Sequence, residues 1–232
     1  MHHDHNAAPF NPVPWSVWLL LLPIAAMEVV VDLGASGMAG GPDGVGWRLQ
    51  AIQDFSFFAQ LQHAMLSAGQ FPFEAMARYV TYPFVHASPT HTIFVAVFLL
   101  ALGKFVGEVF RPWAVLVVFF ASAIVAAVVY GFAAPLFAAS PMPLIGGYPA
   151  DYGLIGAFTF LLWTRLGAQG QSQWGAFSLI GMLMGIQLIF GVFFGAGQDW
   201  IADLAGFATG FLISFVLVPG GWQRALNRLR RR

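Results

Sequence analysis

Apolar residues run through this chain in long unbroken blocks. They show neither the period-two alternation of a half-buried strand nor the one-sided stripe of a soluble helix. A bilayer core about 30 Å thick needs about 20 mostly apolar residues per crossing helix. Six blocks approach that length: Trp15–Gly34, His91–Gly107, Trp113–Phe137, Pro149–Thr164, Trp174–Gly197 and Trp200–Val218. The third and fifth carry no charge, the first holds Glu28 and Asp32 near its far end, and the sixth holds Asp203. The pattern predicts an all-α membrane protein with six transmembrane helices. It divides into a polar tail over 1–13, a membrane domain over 14–218 and a basic tail over 219–232.

Residues 36–90 form one long connection whose apolar stretches, Phe55–Leu61 and Phe71–Val85, are broken by Gly and charges. That mixture predicts an amphipathic first loop lying in the membrane interface. Glu28 and Asp32, spaced i, i+4, either sit at the outer interface or bond this loop, with a proton path as the rival reading. Glu74 and Arg78 have the spacing of a local ion pair. The fourth block is short: its uncharged run Tyr152–Thr164 is 13 residues, about 20 Å of helix. Its outer end is therefore expected below the membrane surface, after an irregular segment over Pro141–Tyr148. Irregular backbone at that depth must be buried by protein or line a wet cavity. Pro149 suits the first helical position, Tyr148 the N-cap and Asp151 the third position, while Gly146 and Gly147 allow a tight approach. Asp151 reads most simply as a helix-start acid.

The sixth block faces that pocket. Ala202, Gly206 and Gly210 make a small-xxx-small series, and Asp203 shares its face. An acid inside a membrane segment usually points to a partner or cavity. Asp203 is thus expected to meet the start of helix four near Tyr148 or Tyr152. The series also gives Gly153, Gly206 and Gly210 a helix-packing role.

Composition sharpens this picture. The chain is 59% hydrophobic and 9% charged, with ten basic and ten acidic residues and no cysteine. Mean hydropathy is +0.74. These values exclude a disordered chain, a basic nucleic-acid binder, disulfide scaffolds and thiolate metal sites. The balance hides an asymmetry. Arg48 and Arg78 lie in the odd-numbered connections, whereas Lys104, Arg111, Arg165, Arg224, Arg228, Arg230, Arg231 and Arg232 lie in the even-numbered ones and the tail. The positive-inside rule then puts both termini in the cytoplasm. Residues 1–12 lack a basic n-region, so no cleaved signal peptide is expected. The opening MHHDH could offer imidazoles to a transition metal, but a solvated tail is the simpler reading, and no metal or other cofactor is expected.

Three segments carry a family resemblance. The segment Ala77–Glu108 (ARYVTYPFVHASPTHTIFVAVFLLALGKFVGE) resembles the first-loop-to-second-helix region of rhomboid intramembrane serine proteases, through Arg78, Tyr79, Thr81, His86, His91 and Gly103. The segment Ile145–Ala157 (IGGYPADYGLIGA) resembles the block that holds the family's nucleophile, and Ala202–Gly210 (ADLAGFATG) resembles the block that holds its histidine base. The resemblance spans about residues 70–218. It implies a six-helix rhomboid-like bundle, the fold of a serine-type endopeptidase, of a basic bacterial-type core in the inner membrane.

The departures bear on activity. Tyr148 stands at the serine position and Pro149 at the glycine after it. Asp203 stands at the histidine position. His91 is kept in the oxyanion region, but Val95 replaces the family's asparagine. A phenol is a poor nucleophile at neutral pH. Ser122, Ser140, Ser178 and Ser214 sit in no recognisable turn. Tyr148 is expected to plug the former site with its hydroxyl bonded to Asp203. His91 is expected to be a satisfied histidine, with retained substrate binding as the alternative, and His86 and His63 to be satisfied as well. The candidate pocket is Gly146, Gly147, Asp151, Tyr152 and His86. The resemblance therefore implies a pseudoprotease whose partners are the lipid bilayer and transmembrane segments of other proteins. Two alternatives stand beside it. One is a protease using non-standard groups, such as an Asp151–Asp203 pair or a relocated serine. The other is a small proton-linked transporter, although no inverted repeat is visible. Gly103 and Gly107 could serve folding or dimerisation equally.

Overall fold

A computed structural model describes residues 12–194 and 197–220. The MHHDH tract, most of the polar tail, part of the end of the fifth block and the basic tail from 221 onward lie outside the described residues.

Each of the six apolar blocks folds as a helix: α1 (Trp15–Ala35), α6 (Pro89–Val109), α7 (Pro112–Ala133), α8 (Tyr148–Ala168), α9 (Ser178–Phe194) and α10 (Asp199–Leu217). Four stretches, Trp15–Ala35, Pro89–Val109, Pro112–Leu136 and Asp199–Leu217, are long and apolar enough to cross a membrane. Pro at the first helical position starts α6 and α7, where its missing N–H is no loss. The Ser88 hydroxyl caps α6 by accepting from the His91 N–H at 3.2 Å.

Residues between α1 and α6 form four short helices: α2 (Gly41–Gly44), α3 (Trp47–Phe55), α4 (Ala59–Ala68) and α5 (Phe73–Thr81). The apolar stretch Phe55–Leu61 runs from the end of α3 into the start of α4. It breaks between α3 and α4, and Phe57 there exchanges two backbone hydrogen bonds with Leu144 (3.1 and 2.8 Å). The expected Glu74–Arg78 pair is absent. Arg78 instead donates to the carbonyls of Gln53 (2.7 Å) and Ser56 (2.9 Å), which lie at the end of α3 where helical carbonyls lack partners.

Helix α8 is the centre of the bundle. From Pro149 to Phe160 nearly every residue is buried, against α10, α7 and α6. It is longer than its uncharged run: 21 residues, continuing past Arg165, which lies exposed in the last turn. A cation there complements the helix dipole, so the charge does not end the helix. Its contact with α10 is backbone on backbone. A Cβ on Gly206 or Gly210 would collide with the carbonyl oxygens of Pro149 and Gly153, and one on Gly156 with that of Phe207. Gly103 and Gly107 pack against side chains at the start of α1: a Cβ on them would lie 3.0 Å from a Val17 methyl and 2.8 Å from the Pro14 ring.

Candidate functional site

The segment before α8 is irregular, as expected, and protein groups satisfy its backbone. Besides the Phe57–Leu144 bonds, the Tyr130 hydroxyl donates to the Met142 carbonyl (2.9 Å) and the Gly146 N–H to the Tyr82 carbonyl (3.0 Å). Gly146 has φ +85°, the left-handed region that favours glycine. A Cβ on it would lie 2.5 Å from His91 Nε2, and one on Gly147 would lie 2.6 Å from a Val95 methyl. The two glycines let the chain slip against α6. Gly147 is the N-cap, so Tyr148 is the first helical residue and Pro149 the second, one place later than expected.

Three rings line this entry. Tyr148 stacks on His91, with centroids 4.8 Å apart and planes at 21°. His91 meets His86 edge to face at 5.0 Å. His86 is 2% exposed, and its Nε2 accepts from the Gly147 N–H at 3.4 Å, which leaves the ring proton on Nδ1. Burial first, then the neighbouring His91, drives the His86 pKa down to about 3, so the ring is neutral. His91 is not the satisfied histidine that was expected: its Nε2 is buried without a hydrogen-bond partner, because the Gly146 backbone closes over that ring edge. His63 is satisfied, with Nε2 3.0 Å from the Gly131 carbonyl.

Beside the rings, a cavity of about 260 Å³ lies between α6, α8, α9 and α10. It is lined by Phe98, Tyr148, Tyr152, Leu183, Ile186, Gln187 and Asp203. Asp203 thus shares a wall with Tyr148 and Tyr152. Its partner is not the Tyr148 hydroxyl, however. Gln187 on α9 donates to Asp203 Oδ2 at 2.8 Å, and the Tyr152 hydroxyl donates to the Gln187 side-chain Oε1 at 3.4 Å. Tyr148 turns its ring face to His91, and Gln187 takes the carboxylate. Asp203 is 3% exposed, and its Oδ1 has no partner. Asp151 is also buried with both oxygens unpartnered, but it does not line this cavity.

No serine stands at the entry to α8 over residues 145–152. Ser122 is buried on α7, where a Cβ on Gly153 would collide with its hydroxyl, which has no partner. Ser140 lines a separate cleft with Arg78 and Phe58, and the Ser214 hydroxyl donates to the Gly210 carbonyl. Among the described residues no serine hydroxyl donates to a histidine ring or a carboxylate, and no group of three or more His, Asp or Glu is placed to hold a metal.

Glu28 and Asp32 bond the first loop. Arg48 on α3 reaches Glu28 and Asp32 at 2.6 Å each and donates to the His86 carbonyl at 3.0 Å, while Thr92 donates to Glu28 at 2.6 Å. A hydrogen-bonded chain therefore runs from the first loop through His86 to the N-cap of α8.

Sequence reasoning missed Arg48, Gln187 and Phe98. Gln187 did leave a signal, being the one amide in the apolar run of α9.

Two comparisons bear on the whole. No curated protein matches the chain. Residues 74–220 match the Rhomboid domain, from the second residue of α5 through the end of α10. That match takes in more than half of the 232 residues, including α6, α8 and α10, which build the cavity; the chain is a multi-pass membrane protein and belongs to the rhomboid family.

Proposed function

We propose that this rhomboid-family chain is a catalytically silent membrane protein that binds transmembrane segments of client proteins. In this reading all six apolar helices span, α8 and α9 included, residues 36–88 rest in the outer interface, and both termini face the cytoplasm of a bacterial-type inner membrane. The Lys/Arg asymmetry supports the orientation.

One observation carries the loss of catalysis. At the position aligned with the family's nucleophile, the Tyr148 ring is stacked on His91, and at the base position Asp203 is bonded to an amide. Nucleophilic catalysis needs a hydroxyl or thiol within hydrogen-bond reach of a base. No serine stands in that relation to Asp203, His86 or His91 among the described residues. Val95, fully buried in the oxyanion region, offers no donor, and a lost donor of that kind costs about 10²–10³ in rate. An acid pair fares no better, because only one of the two aspartates lines the cavity. What remains is a half-open, largely apolar cavity among helices, suited to holding a side chain of a neighbouring helix.

The test is a proteolysis assay in proteoliposomes with a generic rhomboid substrate, run beside a fluorophosphonate probe. Wild type is expected to be silent and unlabelled, and to co-purify with single-span proteins. A variant carrying Tyr148→Ser, Pro149→Gly, Asp203→His and Val95→Asn tests whether the scaffold still supports the chemistry. Cleavage by wild type overturns the reading, and separate Asp151→Ala, Asp203→Ala and Ser140→Ala variants then identify the group responsible.

A further inference from the structure

We infer that the chain holds one phospholipid acyl chain as a resident ligand, in a groove between α4, α5 and α7. The site lies apart from the cavity at the entry to α8 and does not rest on client binding.

The groove has a volume of about 380 Å³. Its depth decides what surrounds it. The α7 wall is Ile124 and Val128, within the stretch Pro112–Leu136 that is long and apolar enough to cross a membrane. Ile124 stands twelve residues from either end of that stretch and Val128 eight from the nearer end, about 18 Å and 12 Å of helix. Both are exposed, and so are Leu66, Phe71 and Met76 across the groove from them. The mouth therefore faces hydrocarbon.

The walls offer nothing to a polar occupant. Among the described residues no charged side chain lines the groove, and its two polar ones are already engaged. The Tyr79 hydroxyl donates to Gln62 Oε1 at 2.9 Å, and Gln62 Nε2 donates to the Val128 carbonyl at 3.3 Å. A buried water needs about three polar partners. An empty space would deprive the walls of dispersion contacts. An apolar cavity of about 150 Å³ already takes up benzene, and this groove is larger and opens on lipid.

Size separates a lipid chain from a protein segment. One turn of helix with its side chains fills about 500 Å³, so no helix enters. A flexible acyl chain does, and the unbranched thioethers of Met65 and Met76 adapt to it. Seated there, the chain fills the space between the first loop and α7, beside the Tyr79–Gln62–Val128 tie. It becomes part of the packing of the first loop.

The test uses the full chain extracted from its membrane, with a diazirine analogue of methionine in place of Met76. The control carries the analogue in place of Met182, an exposed residue of α9 that lines neither the groove nor the cavity at α8. Extended washing in detergent strips loosely held lipid before irradiation, and mass spectrometry reads the adducts. A phospholipid adduct is expected at position 76, at least fivefold more frequent than at position 182. Adding Val128→Phe, which fills the groove, should cut that adduct at least fivefold. Adding Val125→Phe, at an exposed α7 residue outside the groove, should leave it unchanged. The first comparison carries no filling substitution, so it does not depend on such a variant folding. Detergent adducts alone, or phospholipid adducts equal at the two positions, overturn the inference. A free fatty acid at position 76 overturns phospholipid as the source, and a peptide of a second copy or of another protein overturns the acyl chain as the occupant. A phospholipid adduct that survives Val128→Phe undiminished places the chain outside the groove and overturns the assignment.

Discussion

Helix α8 has two neighbours that touch it in opposite ways. Against α10 the contact is backbone to backbone, with Gly206 and Gly210 seated on the carbonyls of Pro149 and Gly153. Against α9 the contact is made by side chains, with one polar tie through Gln187. Helix α9 has glycines too, but Gly181 and Gly185 meet nothing within 4 Å. Composition alone does not separate the two helices; geometry does. In hydrocarbon there is no hydrophobic force pressing helices together, so close packing and polar ties decide which pairs hold. The α8–α10 seam uses the first device over its length, whereas α9 relies on the second at a single point.

The largest expected effect tests the seam directly. Gly206→Val or Gly210→Val should lower stability by about 3 kcal/mol, since the new side chain must displace backbone. Gly181→Val and Gly185→Val should stay within about 0.5 kcal/mol. Reversible unfolding in mixed micelles, followed by tryptophan fluorescence, measures both pairs, and equal losses would break the comparison.

The next effect concerns the N-terminal end of α8, which has a third hold in the Arg48–His86–Gly147 chain. Arg48→Met should cost about 2 kcal/mol, the scale of hydrogen bonds to charged groups. It should raise hydrogen exchange in α3 and at Gly146–Tyr148 while leaving the C-terminal half of the α8 seam protected.

A pH series follows. His86 has a folded-state pKa of about 3 against an ordinary 6.5. Between those values the unfolded chain binds the proton and the folded chain does not, so stability rises with pH across that interval. The His86 contribution is complete above about 6.5 and is lost as pH falls toward 3. Unfolding midpoints from pH 4 to 7 should show this slope, and His86→Gln, which still accepts from Gly147, should flatten it. The smallest effect is Gln187→Leu, at about 1 kcal/mol, read as faster exchange confined to α9.

The long helices were legible because a helix of the bundle needs a long apolar run, and each of the six runs became a helix within a few residues at its ends. The end of α8 was not, because Arg165 cut the run that hydropathy reads while its exposed place in the last turn let the helix continue. At the site, the glycine series and the single acid of the block Trp200–Val218 were enough to bring Asp203 to Tyr148 and Tyr152. The partner of Asp203 was not legible. Which residue of α9 faces α10 depends on the rotation of a helix that is apolar all round, and hydropathy carries no record of it. Arg48 was hidden for a related reason: its ligands Glu28, Asp32 and the His86 carbonyl come from both sides of it in sequence.

The Phe57–Leu144 bridge has a consequence for how the protein is made. Its two bonds close a loop running from Phe57, at the break between α3 and α4, to Leu144, in the segment just before α8. Closing a long loop costs entropy before any contact repays it. Synthesis must also deliver α6, α7 and Leu144 before Phe57 has its partner. The first loop, although translated early, therefore completes its fold late, and the entry to the cavity takes its final form only after the third apolar block is in place. A ribosome stalled before residue 144 should carry α1 with its following short helices still open to protease, and one stalled after α8 should protect them.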